Sequence, residues 1–87
     1  PVRERISSLM RKTAENILEA KVKPVDANPN SIAGSGLLTM KFASADAAIT
    51  LYFNRHGLLK AYRMNSGDTV REKCMDAHLK PRAGARH

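Results

Sequence analysis

Cys74 and His78 lie four residues apart, His56 follows Arg55 and precedes a glycine, and Tyr52, Lys60 and Tyr62 stand in a stretch that also holds Lys41. Each grouping points to a chemistry. A cysteine and a histidine one helical turn apart can share a zinc ion, but a closed site needs two further ligands, and neither His56 nor His87 offers a second paired spacing. No metal or other cofactor is expected, and Cys74 reads as a buried structural thiol. His56 could accept a proton from a ribose 2′-hydroxyl, with Arg55, Lys60 or Arg63 stabilising the phosphorane. No spacing among those residues demands it, and a histidine in a turn is ordinarily only polar, so no catalytic residue is assigned and the chain reads as a non-enzyme. The tyrosines and lysines carry more. Aromatic rings stack on bases while ammonium groups neutralise phosphates, which makes Lys41, Tyr52, Lys60 and Tyr62 candidates for nucleic-acid contact if one surface displays them together.

Charge supports a polyanionic partner. The 87 residues carry 15 Lys and Arg against 8 Asp and Glu, a net +7. Residues 1–23 hold six basic and three acidic side chains, residues 24–52 one and two, and residues 53–87 eight and three, so the excess sits at the two ends. Clustered cations raise the local potential and attract phosphate-rich ligands. Acids offset half the basic charge of the N-terminal stretch, which leaves the C-terminal third, with Arg55, Lys80, Arg82 and Arg86, as the place where contact is expected.

The elements that must position these groups follow from periodicity. Val2, Ile6, Leu9, Met10, Thr13, Ile17 and Ala20 recur at three-and-four spacing, which predicts a helix from Val2 to about Val22, stopped by Pro24. Residues 24–36 are rich in Pro, Gly, Asn and Ser and read as a long connector, either mobile or part of a binding surface. Leu38, Met40 and Phe42, then Ile49, Leu51 and Phe53, alternate with polar residues as half-buried strands do. A loop at Ser44–Ala47 sets Phe42 opposite Ile49 and Lys41 opposite Thr50. In the third strand, Leu58 to Met64, either Leu59, Ala61 and Arg63 or Leu58, Lys60, Tyr62 and Met64 could face inward. Asn54-Arg55-His56-Gly57 matches a three-residue turn closed by a left-handed glycine, so Phe53 faces Leu59, Tyr52 lies opposite Lys60, and Thr50 lies opposite Tyr62 on the outer face. Thr69 and Glu72 have the spacing of a capping box, which predicts a second helix from Thr69 to Lys80, ended by Pro81.

The expected fold is therefore α+β: one domain over residues 1–80, ordered helix, three-stranded antiparallel meander, helix (α-β-β-β-α), with both helices on one sheet face and a basic tail at 81–87. That order is shared with double-stranded RNA-binding domains and with the small proteins of the signal recognition particle's Alu end. The lysine-rich cluster that opens the last helix of a double-stranded RNA-binding domain would fall near Thr69 to Lys73, where Thr-Val-Arg-Glu-Lys holds two basic residues. The similarity stops at the order, and no family is assigned.

Two function classes follow. In the first, a small basic module binds RNA in preference to DNA through Lys41, Tyr52, Arg55, Lys60 and Tyr62, with Lys80, Arg82 and Arg86 as a basic arm. In the second, Tyr52, Leu58, Tyr62 and Met64 form an apolar patch with a basic rim, for a protein partner or a homodimer. No apolar run approaches the ~20 residues that cross a bilayer, so no membrane contact is expected. One cysteine allows no internal disulfide and suits a reducing, intracellular compartment, with the cytoplasm favoured. The amphipathic N-terminus resembles a transit peptide in its Arg and Ser content, but Glu4, Glu15 and Glu19 argue against that use.

Overall fold

A computed structural model of the chain describes residues 2–26 and 28–75, with side chains from Glu4 onward. Helix α1 spans Val2–Leu18. Ile6, Met10 and Ala14 are buried along it, continued by Ile17 and Leu18 at the edge of the core. This stripe lies one residue round from the expected one: Leu9 is 41% exposed, and Ala14 at 0% is the small residue that lets helix and sheet approach closely. Pro24 is not what ends the helix. Glu19 takes a left-handed φ of 55°, and the Ala20 N–H donates to the Glu15 carbonyl at 3.3 Å, the bond that closes a helix ending in a left-handed residue. The Glu15 carboxylate also accepts the Val22 N–H at 3.2 Å, holding the exit of the chain against the last turn.

Six strands follow: β1 (Lys23–Pro24), β2 (Asn30–Ile32), β3 (Leu37–Ala43), β4 (Ala47–Asn54), β5 (Leu59–Ser66) and β6 (Thr69–Cys74). β3 to β6 form an antiparallel meander, and β1 and β2 both pair with the remaining edge of β3 at its opposite ends. The stretch expected to be a connector is thus an interrupted edge strand. Prolines are tolerated there because one side of an edge strand needs no ladder N–H. Between the two pieces, the Val25 N–H donates to the Lys41 carbonyl at 2.8 Å, and the Asp26 carboxylate accepts the Lys41 N–H at 3.3 Å. A side chain there replaces a missing backbone acceptor.

The expected α-β-β-β-α order is overturned: the described residues form one helix and a six-stranded antiparallel sheet. The chain departs from the expected order at Gly67. Ser66 pairs with Thr69, and Gly67, at φ 61°, occupies the first central position of a two-residue hairpin, where a type II′ turn requires glycine. Thr69 to Cys74 therefore returns along β5, so the Thr69–Glu72 spacing is not a capping box. The rest of the expected helix, residues 76–80, lies outside the described residues. With the second helix gone at 69–74, the shared order with double-stranded RNA-binding domains goes too.

α1 packs on β3 and β4. Beneath it lie Met40, Phe42, Ile49, Leu51 and Phe53, each at most 1% exposed. The Ser44–Ala47 turn sets Phe42 opposite Ile49 and Lys41 opposite Thr50, as the alternation predicts. No described element covers the other face of the sheet, and the shortest extent of the molecule, 18 Å, is that of one helix on one sheet. No helix among the described residues is long and apolar enough to cross a membrane.

Candidate nucleic-acid interface

The uncovered face is built from cross-strand rows. One row runs Lys41, Thr50, Arg63, Glu72 across β3 to β6, and the next runs Asn30, Thr39, Tyr52, Ala61, Cys74 across β2 to β6. Adjacent strands lie about 4.8 Å apart and alternate residues of one strand about 7 Å apart, so Lys41 and Arg63 are the diagonal neighbours of the Tyr52 ring. Ala61 is its direct neighbour on β5. A methyl group beside a phenol leaves a shallow, flat place next to the ring. Lys41 is exposed, Tyr52 is half-buried, and Arg63 Nε lies 3.3 Å from a Glu72 carboxylate oxygen, an exposed pair worth about 0–1 kcal/mol. Thr39 contributes a buried hydroxyl oxygen with no hydrogen-bond partner among the described residues.

The register that makes this face differs from the expected one. The 54–58 turn forms as its residues predict: the Asn54 N–H donates to the Leu58 carbonyl at 2.9 Å, the Asn54 side-chain oxygen accepts the His56 and Leu58 N–H groups at 2.9 and 3.0 Å, and Gly57 has φ 89°. Phe53 does face Leu59. A bulge then shifts the ladder between Phe53 and Tyr52, so that Tyr52 lies opposite Ala61, Leu51 opposite Tyr62 and Thr50 opposite Arg63. Without the bulge, Ala61 and Arg63 would continue the inward set begun by Leu59. Burying an unpaired guanidinium under α1 costs several kcal/mol, far more than one disrupted rung. The inserted residue reconciles the parity set by the turn with the parity demanded by burial.

The proposed contacts are redistributed accordingly. Lys41 and Tyr52 share the open face. Lys60 lies half-buried in the bulge and no longer opposes Tyr52, while Tyr62 is on the helix side, packed against the core. Arg55 is exposed at the hairpin tip, roughly 10 Å of chain beyond Tyr52. Lys80, Arg82 and Arg86 lie outside the described residues. Arg63 also belongs to the open face, and its charge at an alternating position is the sequence signal that it has to point outward. The alternative protein-contact set is dispersed: Tyr52 faces outward, Met64 and Tyr62 pack on the helix side, and Leu58, 58% exposed, sits at the turn.

Other sites are weaker. Cys74 lies on a strand, which removes the helical geometry behind a Cys74–His78 pair, and His78 is outside the described residues. Among the described residues, no group of three or more His, Cys, Asp and Glu comes together to hold a metal. A groove of about 540 Å³ runs between the end of α1 and the β5–β6 hairpin, with Ile17, Leu18 and Met64 beside Glu19, Asp46 and Arg71. Its rim carries both signs of charge and selects neither.

No family model, no curated protein and no solved structure matches this chain.

Proposed function

We propose that the chain is a small non-enzymatic module that binds single-stranded RNA on the uncovered sheet face. The observation that carries this reading is Tyr52 with Ala61 beside it and Lys41 and Arg63 on its diagonals. A base stacks on the ring, the alanine leaves room for it, and the two cations meet the flanking phosphates. Arg55 extends the positive surface past the tip. A single strand fits better than a duplex because stacking on the Tyr52 ring needs an unpaired base splayed from its neighbours. The protein-contact reading lacks a comparable cluster, since its four residues occupy three different surfaces.

Fluorescence anisotropy with a labelled mixed-sequence RNA, titrated between low and physiological salt, tests it. Three phosphate contacts from Lys41, Arg55 and Arg63 give a log–log salt slope of about −2 for a single strand, steeper if the C-terminal arginines add theirs. The double substitution Lys41→Ala with Arg63→Ala is expected to flatten that slope and weaken binding, and the corresponding DNA strand reports any use of the 2′-hydroxyl. Unchanged affinity in the double variant overturns the proposal.

A further inference from the structure

The two edges of the sheet are managed differently. On one side, β1 and β2 are two and three residues long, interrupted, and flanked or occupied by Pro24 and Pro29, which are devices that discourage further pairing. On the other, β6 runs six residues in unbroken register with β5, from Ser66 opposite Thr69 to Ala61 opposite Cys74. No described strand lies beyond it. The Met75 N–H donates to the Lys60 carbonyl at 2.8 Å. Backbone groups alternate in direction along a strand, so those of Thr69, Arg71 and Lys73 also face β5, and those of Val70 and Glu72 face away from it. Outward N–H and C=O groups on a regular edge are a template for another strand.

The side chains decide which strand. Arg71 and Lys73 share the helix-side face with their partners Met64 and Tyr62, two residues apart on one line. Glu72, on the opposite face, is already held by Arg63. A second copy pairing β6 antiparallel about a two-fold axis has to keep like faces together, so only residues of the same parity can oppose one another. The two registers that pair five of its six residues then set Arg71 against Arg71 or Arg71 against Lys73. Like charges directly opposite destabilise a sheet pair, so the edge repels its own copy. The same two cations attract a strand whose acids stand two residues apart.

We propose that the β6 edge receives an extended acidic segment of a partner protein, added as a further strand, with carboxylates opposite Arg71 and Lys73 and an apolar residue opposite the exposed Val70. Main-chain bonds at Val70 and Glu72 supply affinity, and the alternating side chains supply selection.

The test uses the full chain, labelled with ¹⁵N, and two short synthetic peptides that alternate Val with Glu or Val with Lys. The Glu peptide is expected to bind at least about tenfold more tightly, ~1.4 kcal/mol, and to slow amide exchange at Val70 and Glu72. Val70→Pro removes an outward N–H that β5 does not use, so the fold is expected to survive while peptide binding is lost. Arg71→Glu with Lys73→Glu is expected to invert the preference between the peptides. Equal affinity for the two peptides, binding that survives Val70→Pro, or protection of these amides by RNA or by self-association in place of the Glu peptide overturns the proposal.

Discussion

Tyr52 lies opposite Ala61 on the uncovered face, whereas its neighbour Phe53 lies opposite Leu59 beneath the helix. The one-residue offset between those two rungs sends Tyr62 and Met64 to the core side and Arg63 to the open side. Deleting Lys60 removes the extra residue and leaves a regular ladder in which Phe53 still faces Leu59, Tyr52 still faces Ala61 and Arg63 still points outward, with the 54–58 turn kept. The deletion is therefore expected to change stability by no more than about 1 kcal/mol, read by urea denaturation, and a loss of several kcal/mol would show that the bulge itself is needed.

The two tyrosines separate stability from binding. Tyr62→Ala is expected to cost about 2 kcal/mol or more, because Tyr62 packs against the buried cluster. Tyr52→Ala is expected to cost less than about 1 kcal/mol yet to weaken RNA binding by about 1–3 kcal/mol, the loss of one stacked base. Melting curves and anisotropy on the same pair of variants check both halves. Equal RNA affinity for wild type and Tyr52→Ala would remove the ring from the interface.

Glu19 ends α1 in a conformation that side-chain-bearing residues resist by about 1–2 kcal/mol, and glycine adopts it at an entropic cost of about 0.5–1 kcal/mol. Glu19→Gly is therefore expected to stabilise the fold by about 0.5–1 kcal/mol. Thermal denaturation reads this as a higher midpoint, and a lower one would show that the Glu19 side chain contributes more than its backbone costs.

Asp26 stands where a neighbouring strand would present a carbonyl to the Lys41 N–H. Asp26→Ala is expected to destabilise by about 1–2 kcal/mol, while Asp26→Asn, which keeps an acceptor oxygen, is expected to lose less. Faster amide exchange at Lys41 in the alanine variant alone is the site-specific readout.

Thr39 buries a hydroxyl oxygen with no partner among the described residues. Thr39→Val keeps the β-branched shape and removes that desolvated group, so it is expected to raise stability by about 1 kcal/mol. A destabilised variant would show that the hydroxyl is bonded in solution.

The turns show how far local chemistry reaches. Asn54 to Gly57 encodes its own closure, through an asparagine that can accept two backbone N–H groups and a glycine that can take positive φ. Gly67-Asp68 is an equally local hairpin signal, but the Thr69–Glu72 spacing competes with it and favours a helix. The competition ends in favour of the strand because β5 offers Thr69 to Cys74 a full ladder of partners. Residues 23–32 give no strand pattern at all, since their pairing depends on the edge of β3 and on one aspartate substituting for a backbone carbonyl.

From the residues alone come the amphipathic N-terminal helix, the inward sets of Met40 and Phe42 and of Ile49, Leu51 and Phe53, the turns that join their strands, and the basic C-terminal third. These are legible because period, turn propensity and charge are properties of neighbouring residues. Tertiary structure alone decides the broken edge strand, the sixth strand in place of a helix, and the face on which Tyr62 and Arg63 lie. Each of these rests on a comparison between distant partners, above all the cost of placing Arg63 beneath α1 against the cost of one bulge at Lys60, and no short stretch of sequence contains both terms.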